Sequence, residues 1–296
     1  MITPQTIGVV AALAAALCWT LSSALWRQLP TSLTAAQLNL VKNWLALVLL
    51  LPALLARPWP HQPQALVLLG LSGALGIALG DSLYFAALRR LGTRRTLTLD
   101  AGGPAVTAVA GLVWLREVPT PQQWLGLGLI TAALVLVALQ RPRSEGPGPP
   151  VSPAGQRLGV LLALGALMAG SGGALFTRAA LRNGALDPLQ ATLVRLLVAG
   201  LVLLPLARGL PGWPPQPRPA QRRWPLWLLA TLLGTSVGIA LQQTALQRLP
   251  GGVAVSLLAT APLMALPLAR LEGDQPGWRG LLAALMALGG LTALVV

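Results

Sequence analysis

Long apolar runs separated by short polar connections recur along the whole chain. The same set of five is met twice, from about Ile7 to Leu139 and again from about Leu158 to Val296. Each run is about 20 residues long, the length a helix needs to cross the ~30 Å hydrocarbon core of a bilayer. The pattern predicts ten spans, at 7–26, 35–56, 65–88, 96–115, 122–140, 157–180, 188–208, 224–246, 251–270 and 277–295. Residues 141–156 carry Pro142, Pro147, Pro149, Pro150 and Pro153 and read as a linker. They divide the chain into a first half, 1–140, and a second, 157–296. A second proline-rich stretch, 211–219, reads as the loop between spans seven and eight. Both stretches are non-helical by composition. Five is odd, so a second copy that also starts by crossing the bilayer must lie upside down relative to the first. The expected fold is an all-α integral membrane protein of two inverted five-helix repeats, an arrangement used by transporters.

The duplication can be followed residue by residue. At an offset of 151, Gly8, Val9, Leu13 and Arg27 meet Gly159, Val160, Leu164 and Arg178. At 153, Gln37, Lys42, Ala46 and Pro52 meet Gln190, Arg195, Ala199 and Pro205. At 158, Gly76, Gly80, Ala87, Leu88, Leu91 and Pro104 meet Gly234, Gly238, Ala245, Leu246, Leu249 and Pro262. At 154, Trp124 and Gly126 meet Trp278 and Gly280. Single matches are cheap in Leu- and Ala-rich sequence, but an ordered set with a cation at one matched mid-span position is not.

Composition strengthens the membrane reading. Of the 296 residues, 55% are hydrophobic and 9% charged, with a mean hydropathy of +0.70. Soluble domains carry about a quarter charged residues. The net charge of +14 resides in short connections between apolar spans. No basic stripe with interleaved aromatics is present, so nucleic acid is not an expected partner; loop arginines set orientation and touch anionic lipid. The single cysteine, Cys18, excludes an intrachain disulfide. Met1 to Thr6 lacks a positive region, so the N-terminus reads as the first span rather than a cleavable signal. The single histidine, His61, and the lack of a P-loop argue against a His-based metal site and against ATP hydrolysis. No cofactor is expected.

Ionisable residues in a span cost about 2.5–3.5 kcal/mol each on insertion scales, so each needs a reason. Asn39, Lys42, Asn43 and Ala46 fall at i, i+3, i+4 and i+7, one polar stripe on one face of span two. Span seven carries the matched stripe Thr192, Arg195 and Ala199. Asp81 in span three lies at the depth of Lys42, and the two are expected to pair or to share a proton or a substrate group. Tyr84, three residues on, is placed to bond Asp81. Asp100 reads either as a hydrated interfacial carboxylate bonded to an arginine or as part of this cluster. In the second half the positions of Asp81 and Asp100 are taken by Ile239 and Leu258. Arg195 therefore inherits no acidic partner, and its neighbours at similar depth are Gln242 and Gln243. A guanidinium without a protein anion is a receptor for a carboxylate or phosphate, or else snorkels.

Trp19, Ser22, Ser23 and Trp26 share one face of span one, matched in span six by Gly170, Gly173, Ala174 and Thr177. An aromatic wall opposite small residues leaves room for a solute, with Trp26 better explained as an interfacial anchor. The candidate substrate-binding set is thus Trp19, Ser22, Ser23, Asn39, Lys42, Asn43, Asp81, Tyr84, Arg195 and Gln242, with Asp81 the candidate proton-coupling group. Gly76-x-x-x-Gly80 and Gly234-x-x-x-Gly238 read as packing faces. Pro104 and Pro262 are expected to kink spans four and nine. Glu117 and Glu272 read as turn or cap residues, and Thr120-Pro121-Gln122-Gln123 as the capped start of span five.

The stretch from Ala87 through Pro104 to Trp114, Leu115, Arg116 and Glu117, followed by Gln123, Trp124, Leu125 and Gly126, resembles the drug/metabolite transporter superfamily, in its EamA-type branch. Ala245, Pro262, Glu272, Trp278 and Gly280 repeat the pattern. The resemblance covers nearly the whole chain. It implies a ten-helix, multi-pass transporter of small organic solutes in the plasma membrane (the inner membrane of a bacterium), monomeric or homodimeric. An exporter of metabolites such as amino acids, working by alternating access and driven by a proton gradient, is the reading that follows; a facilitative exchanger or channel is the alternative. Orientation stays open. Fourteen arginines (Arg27, Arg89, Arg90, Arg94, Arg95, Arg141, Arg143, Arg157, Arg208, Arg218, Arg222, Arg223, Arg270 and Arg279) crowd odd-numbered loops, against five (Arg57, Arg116, Arg178, Arg182 and Arg248) in even ones. This puts both termini outside, whereas the resemblance implies both inside.

Overall fold

The computed structural model describes residues 3–27, 29, 33–55, 62–139, 153–182, 186–209, 224–264 and 277–295. Residues 141–152 of the linker, the loop 211–219, His61 and Glu272 lie outside the described residues. Residues 153–156, read as linker from composition, are instead the first turn of a helix that opens on Pro153, where a missing N–H costs no hydrogen bond. Among those described, every regular element is a helix.

Helix α1 runs Pro4–Arg27 and α2 Ala35–Leu55. Helix α3 (Pro63–Ser72) passes through a π-helical segment, Gly73–Asp81, into α4 (Ser82–Asp100). Then come α5 (Gly103–Leu115) and α6 (Pro121–Ala138). The second half opens with α7 (Pro153–Leu181) and α8 (Pro188–Leu203), the latter ending in a 3-10 turn. Helix α9 (Trp224–Thr231) passes through a second π-helical segment, Leu232–Val237, into α10 (Gly238–Arg248). Helices α11 (Gly251–Leu258) and α12 (Gly277–Val295) complete the chain. Eight described helical stretches are long and apolar enough to cross a membrane, and Ala36–Pro52 and Gly251–Met264 are shorter apolar helices.

Several local rules explain the element ends. Thr120 accepts from the Gln123 backbone N–H at 3.2 Å while Gln123 Oε1 accepts from Thr120 N at 3.1 Å, with Pro121 in the first turn, the capping box that the sequence predicts. A second box, Asp187-Pro188-Leu189-Gln190, starts α8 in the same way. Spans four and nine do not kink at their prolines but break just before them. Ala101–Gly102 separates α4 from α5, and Ala259–Thr260 follows α11. Pro104 sits in the first turn of α5, where its missing N–H costs no hydrogen bond.

Helix α4 carries through residues 89–95, where the pattern predicts a connection. Between Leu91 and Gly102 the chain nonetheless turns back along α7. Leu83 lies against Gly165 and Leu91 against Gly159, yet Gly102 is back beside Leu167. A Cβ on Gly165 would lie 3.3 Å from Leu83, and one on Gly102 3.4 Å from Leu167.

Helix packing repeats between the halves with roles exchanged. Helix α4 packs on α7 as α10 packs on α1, while α2 meets α8, α5 meets α11 and α6 meets α12. The first π segment lies against α7 and α8, and the second against α1 and α2. Glycines permit the closest approaches. A Cβ on Gly173 would fall 2.8 Å from Gly76 Cα, and one on Gly73 would strike the backbone carbonyl of Arg195. In the other half, a Cβ on Gly234 would strike Ser22 Oγ, and one on Gly238 would fall 2.7 Å from Trp19 Nε1. Side chains then bridge between halves: Ser22 Oγ donates to Ala230 O at 2.8 Å, and Ser72 Oγ to Gly173 O at 2.5 Å. Ser22 matches Gly173 and Ala230 matches Ser72, so this is one bridge built from opposite sides.

Backbone atoms cannot yield as a flexible side-chain tip can. Gly173→Ala is therefore expected to lower stability by about 1–3 kcal/mol, the usual cost of overpacking. Gly128→Ala, where a Cβ meets nothing within 4 Å, should be neutral or stabilising. Thermal unfolding of the purified protein in detergent compares the two; equal melting temperatures would contradict the close contact.

Candidate functional site

The polar stripe of α2 faces the first π segment. A π turn widens the helix and is frequent at functional sites. Asn39, fully buried, donates from Nδ2 to the Ile77 carbonyl at 2.9 Å. Asn43 Nδ2 donates to Asn39 Oδ1 at 3.3 Å, and Asn43 Oδ1 is left without a partner. One turn from Asn39, Lys42 Nζ lies 3.2 Å from Asp81 Oδ2, at the end of the π segment, and 5.9 Å from the centre of the Phe85 ring. The pairing of Lys42 and Asp81 read from their depth is thus formed. Both stay partly open, with side chains 19% and 38% exposed.

Across from this pair stands Arg195 of α8, 4% exposed. Its Nη1 donates to Gln242 Oε1 at 3.3 Å, its Nη2 reaches toward Gly76, and its Nε is unpartnered. Gln243, fully buried, has neither end of its amide bonded. Asp81 acts electrostatically on Arg195, Asp100 and Tyr84, so these groups converge on one region. Asp100 thereby joins the cluster: it is exposed at the break between α4 and α5, and the reversal of the chain at α4 carries it back toward Asp81. No hydrogen bond joins Tyr84 to Asp81 among the described residues. The Tyr84 ring stands edge-on to Phe85, with centroids 5.9 Å apart.

The span-one face is used in two ways. Trp19 Nε1 donates to the Gly234 carbonyl at 3.0 Å, wedging the indole against the second π segment. Ser22 is buried in its bridge to Ala230, while Ser23 is exposed. Trp26 packs edge-on against Trp227 at 5.1 Å. The structure therefore gathers Lys42, Asp81, Tyr84 and Arg195 with Gln242, and sets Asn39, Asn43, Trp19 and Ser22 into the walls.

A second polar network was not legible as such. Glu117 Oε1 receives Arg178 Nε at 2.6 Å, and Glu117 Oε2 receives the Gly251 N–H at 2.7 Å. Arg178 Nη1 also donates to the carbonyls of Leu246 and Gln247, at 3.1 and 2.8 Å. One ion pair thus ties the ends of α5, α7 and α10 to the start of α11. Arg116, with φ of 56°, makes the left-handed turn that aims Glu117 at them. The cap reading of Glu117 holds, but the helix it caps is α11, in the other half. The matched pairs Arg27/Arg178 and Glu117/Glu272 were the available signal.

A membrane-spanning helical bundle with a buried, partly open cluster of opposite charges and no acidic mate for one arginine has the make-up of a solute carrier. Comparison with known proteins agrees. The model of the EamA-like transporter family matches residues 6–139 and again 157–296, so the chain belongs to that family. With eight described helical stretches long and apolar enough to cross a membrane, it is a multi-pass membrane protein. The threonine/homoserine exporter RhtA of Escherichia coli strain K12 is 50% identical over 66 residues, 22% of this chain and 22% of that protein. The same exporter from E. coli O6:H1 and from O157:H7 matches equally. A solved crystal structure covering 98% of both chains superposes with a TM-score of 0.75 at 17% identity, which supports the fold.

With side chains only 15% exposed, the Glu117–Arg178 pair is nearly desolvated. Glu117→Gln should destabilise the protein by about 3 kcal/mol, the lower end for breaking a buried pair. A double-mutant cycle with Arg178→Gln, read by denaturant unfolding, should give a coupling above about 1 kcal/mol. Additive effects would show that the pair carries no joint stability.

Proposed function

We propose that this protein is a secondary transporter that exports small organic metabolites, amino acids among them, and not an enzyme. Ten spans in two inverted halves, 1–140 and 157–296, would rock about a central site and expose it to each side in turn. The exchange of packing partners between halves supports this arrangement, since the principal helix contacts made from one half have counterparts made from the other.

The observation that carries the proposal is Arg195: a buried guanidinium whose only protein hydrogen bond among those described is a 3.3 Å contact to a neutral amide. A substrate carboxylate would complete its donor set, and Gln242 holds the fork in place. Hydrogen bonds to charged groups contribute about 1.5–3 kcal/mol. Arg195→Ala should therefore weaken binding of carboxylate-bearing solutes roughly 10- to 150-fold, read as loss of ligand-induced thermal stabilisation. Unchanged stabilisation by the same amino acids would contradict the assignment. The matching E. coli relatives, named as threonine/homoserine exporters, support amino acids as the class to test first.

Asp81 is the proposed proton-linked group. Its carboxylate, held by Lys42 yet open to the cavity, can gain a proton and release the lysine, so that protonation and substrate binding compete for one partner. Asp81→Asn removes the titratable group and should cut gradient-driven flux in liposomes at least tenfold, while counterflow exchange persists. Undiminished gradient-driven flux would favour facilitated exchange, with no part for Asp81 in coupling. Trp19, Ser22, Asn39, Asn43 and Tyr84 belong to the proposed site as walls and floor.

A further inference from the structure

Helix α7 shows its lipid side through exposed Leu161, Leu164 and Met168. Gly170 lies about 150° from these at 100° per residue, on a face whose other members, Gly159, Ala163, Ala166, Gly173, Ala174 and Thr177, are all buried. Yet Gly170 is exposed, and a Cβ added to it would meet nothing within 4 Å. The otherwise packed face of α7 is therefore open at Gly170.

The matched position in the other half is filled. Around Gly238, a Cβ would meet Trp19 Nε1 at 2.7 Å and Leu233 O at 2.8 Å; around Gly80, the counterparts are Gly170 N at 3.5 Å and Leu75 O at 3.3 Å. The backbone frame is the same, but the indole is missing. One turn back from Gly80, at Gly76, an added Cβ would stand 3.4 Å from Arg195 Nη2 and 3.4 Å from Gly173 Cα, the residue three after Gly170. That guanidinium is 4% exposed with Nε unpartnered, so an anion acceptor borders the gap.

We infer that the space beside Gly170 is the side-chain subsite of the transported solute, sized for a flat apolar group. The solute's ring takes the place that Trp19 fills in the other half, with its carboxylate on Arg195. The ligand class is a carboxylate-bearing solute with a planar, ring-sized substituent, such as an aromatic amino acid. This rests on the transporter reading and on Arg195 as its anion receptor.

The test uses the full-length protein in liposomes, with tryptophan and threonine as probes. Gly170→Trp, which restores the residue of the matched position, should lower tryptophan flux at least tenfold and leave threonine flux within twofold. Equal effects on both solutes, or none on either, would overturn the subsite. Failure of the unsubstituted protein to move either solute would instead overturn the functional reading. A second measurement does not depend on transport or on tolerance of an indole. In a Cys18→Ser background, Gly170→Cys should react with a small water-soluble thiol reagent, and tryptophan should protect it where threonine does not. An unreactive thiol in that variant, or one protected equally by both amino acids, would contradict the inference.

Discussion

Two widened helical turns pressed backbone-to-backbone against the opposite half are the constraint on which this structure depends. Within lipid a chain has no water to satisfy its peptide groups, so helices are imposed and any loosening of a helix must be repaired from nearby. Here the repair comes from side chains of neighbouring helices. Asn39 bonds the carbonyl of Ile77 in the first π segment, and Trp19 that of Gly234 in the second. Ser22 and Ser72 cross-brace α1 and α7 to the opposite half. Such bonds require close approach, and glycines at 73, 76, 173, 234 and 238 supply it. The polar cluster lies where it does because the first of these turns packs against α2 and α8, the helices that carry Lys42 and Arg195.

The frame is symmetric and the chemistry is not. Asp81 faces Lys42 in one half, whereas Ile239 occupies the matched place in the other, leaving Arg195 with an amide. Trp19 fills one groove, and Gly170 leaves the other open. A duplicated scaffold thus keeps its main packing contacts while its polar groups differ between the halves. The Glu117–Arg178 tie adds a further element, because it joins four helix ends across the two halves. Opening that end of the bundle would require it to break.

Much of this was legible because hydrophobic periodicity and the internal offsets report directly on helix faces. The pairing of Lys42 with Asp81 followed from equal depth, and the cap at Thr120 from its spacing to Gln123. The π segments were not legible: Gly76-x-x-x-Gly80 announces close packing but says nothing of one extra residue per turn. The prolines at 104 and 262 looked like kinks because sequence cannot tell a bent helix from one restarted after a break. Asp100 was hard to place for a similar reason. Its position depends on how the chain turns back between Leu91 and Gly102, which no periodicity encodes. Glu117 looked local because its partners, Arg178 and Gly251, are far away in sequence.

The central claim is that the halves lie head-to-tail, so that each π segment meets the first two helices of the other half. Single cysteines in matched connections, one within residues 56–61 and one within 210–223, test it directly in a Cys18→Ser background. Labelled in sealed vesicles with a membrane-impermeant thiol reagent, they should react from opposite faces of the membrane. Reaction of both from the same face would contradict the antiparallel arrangement.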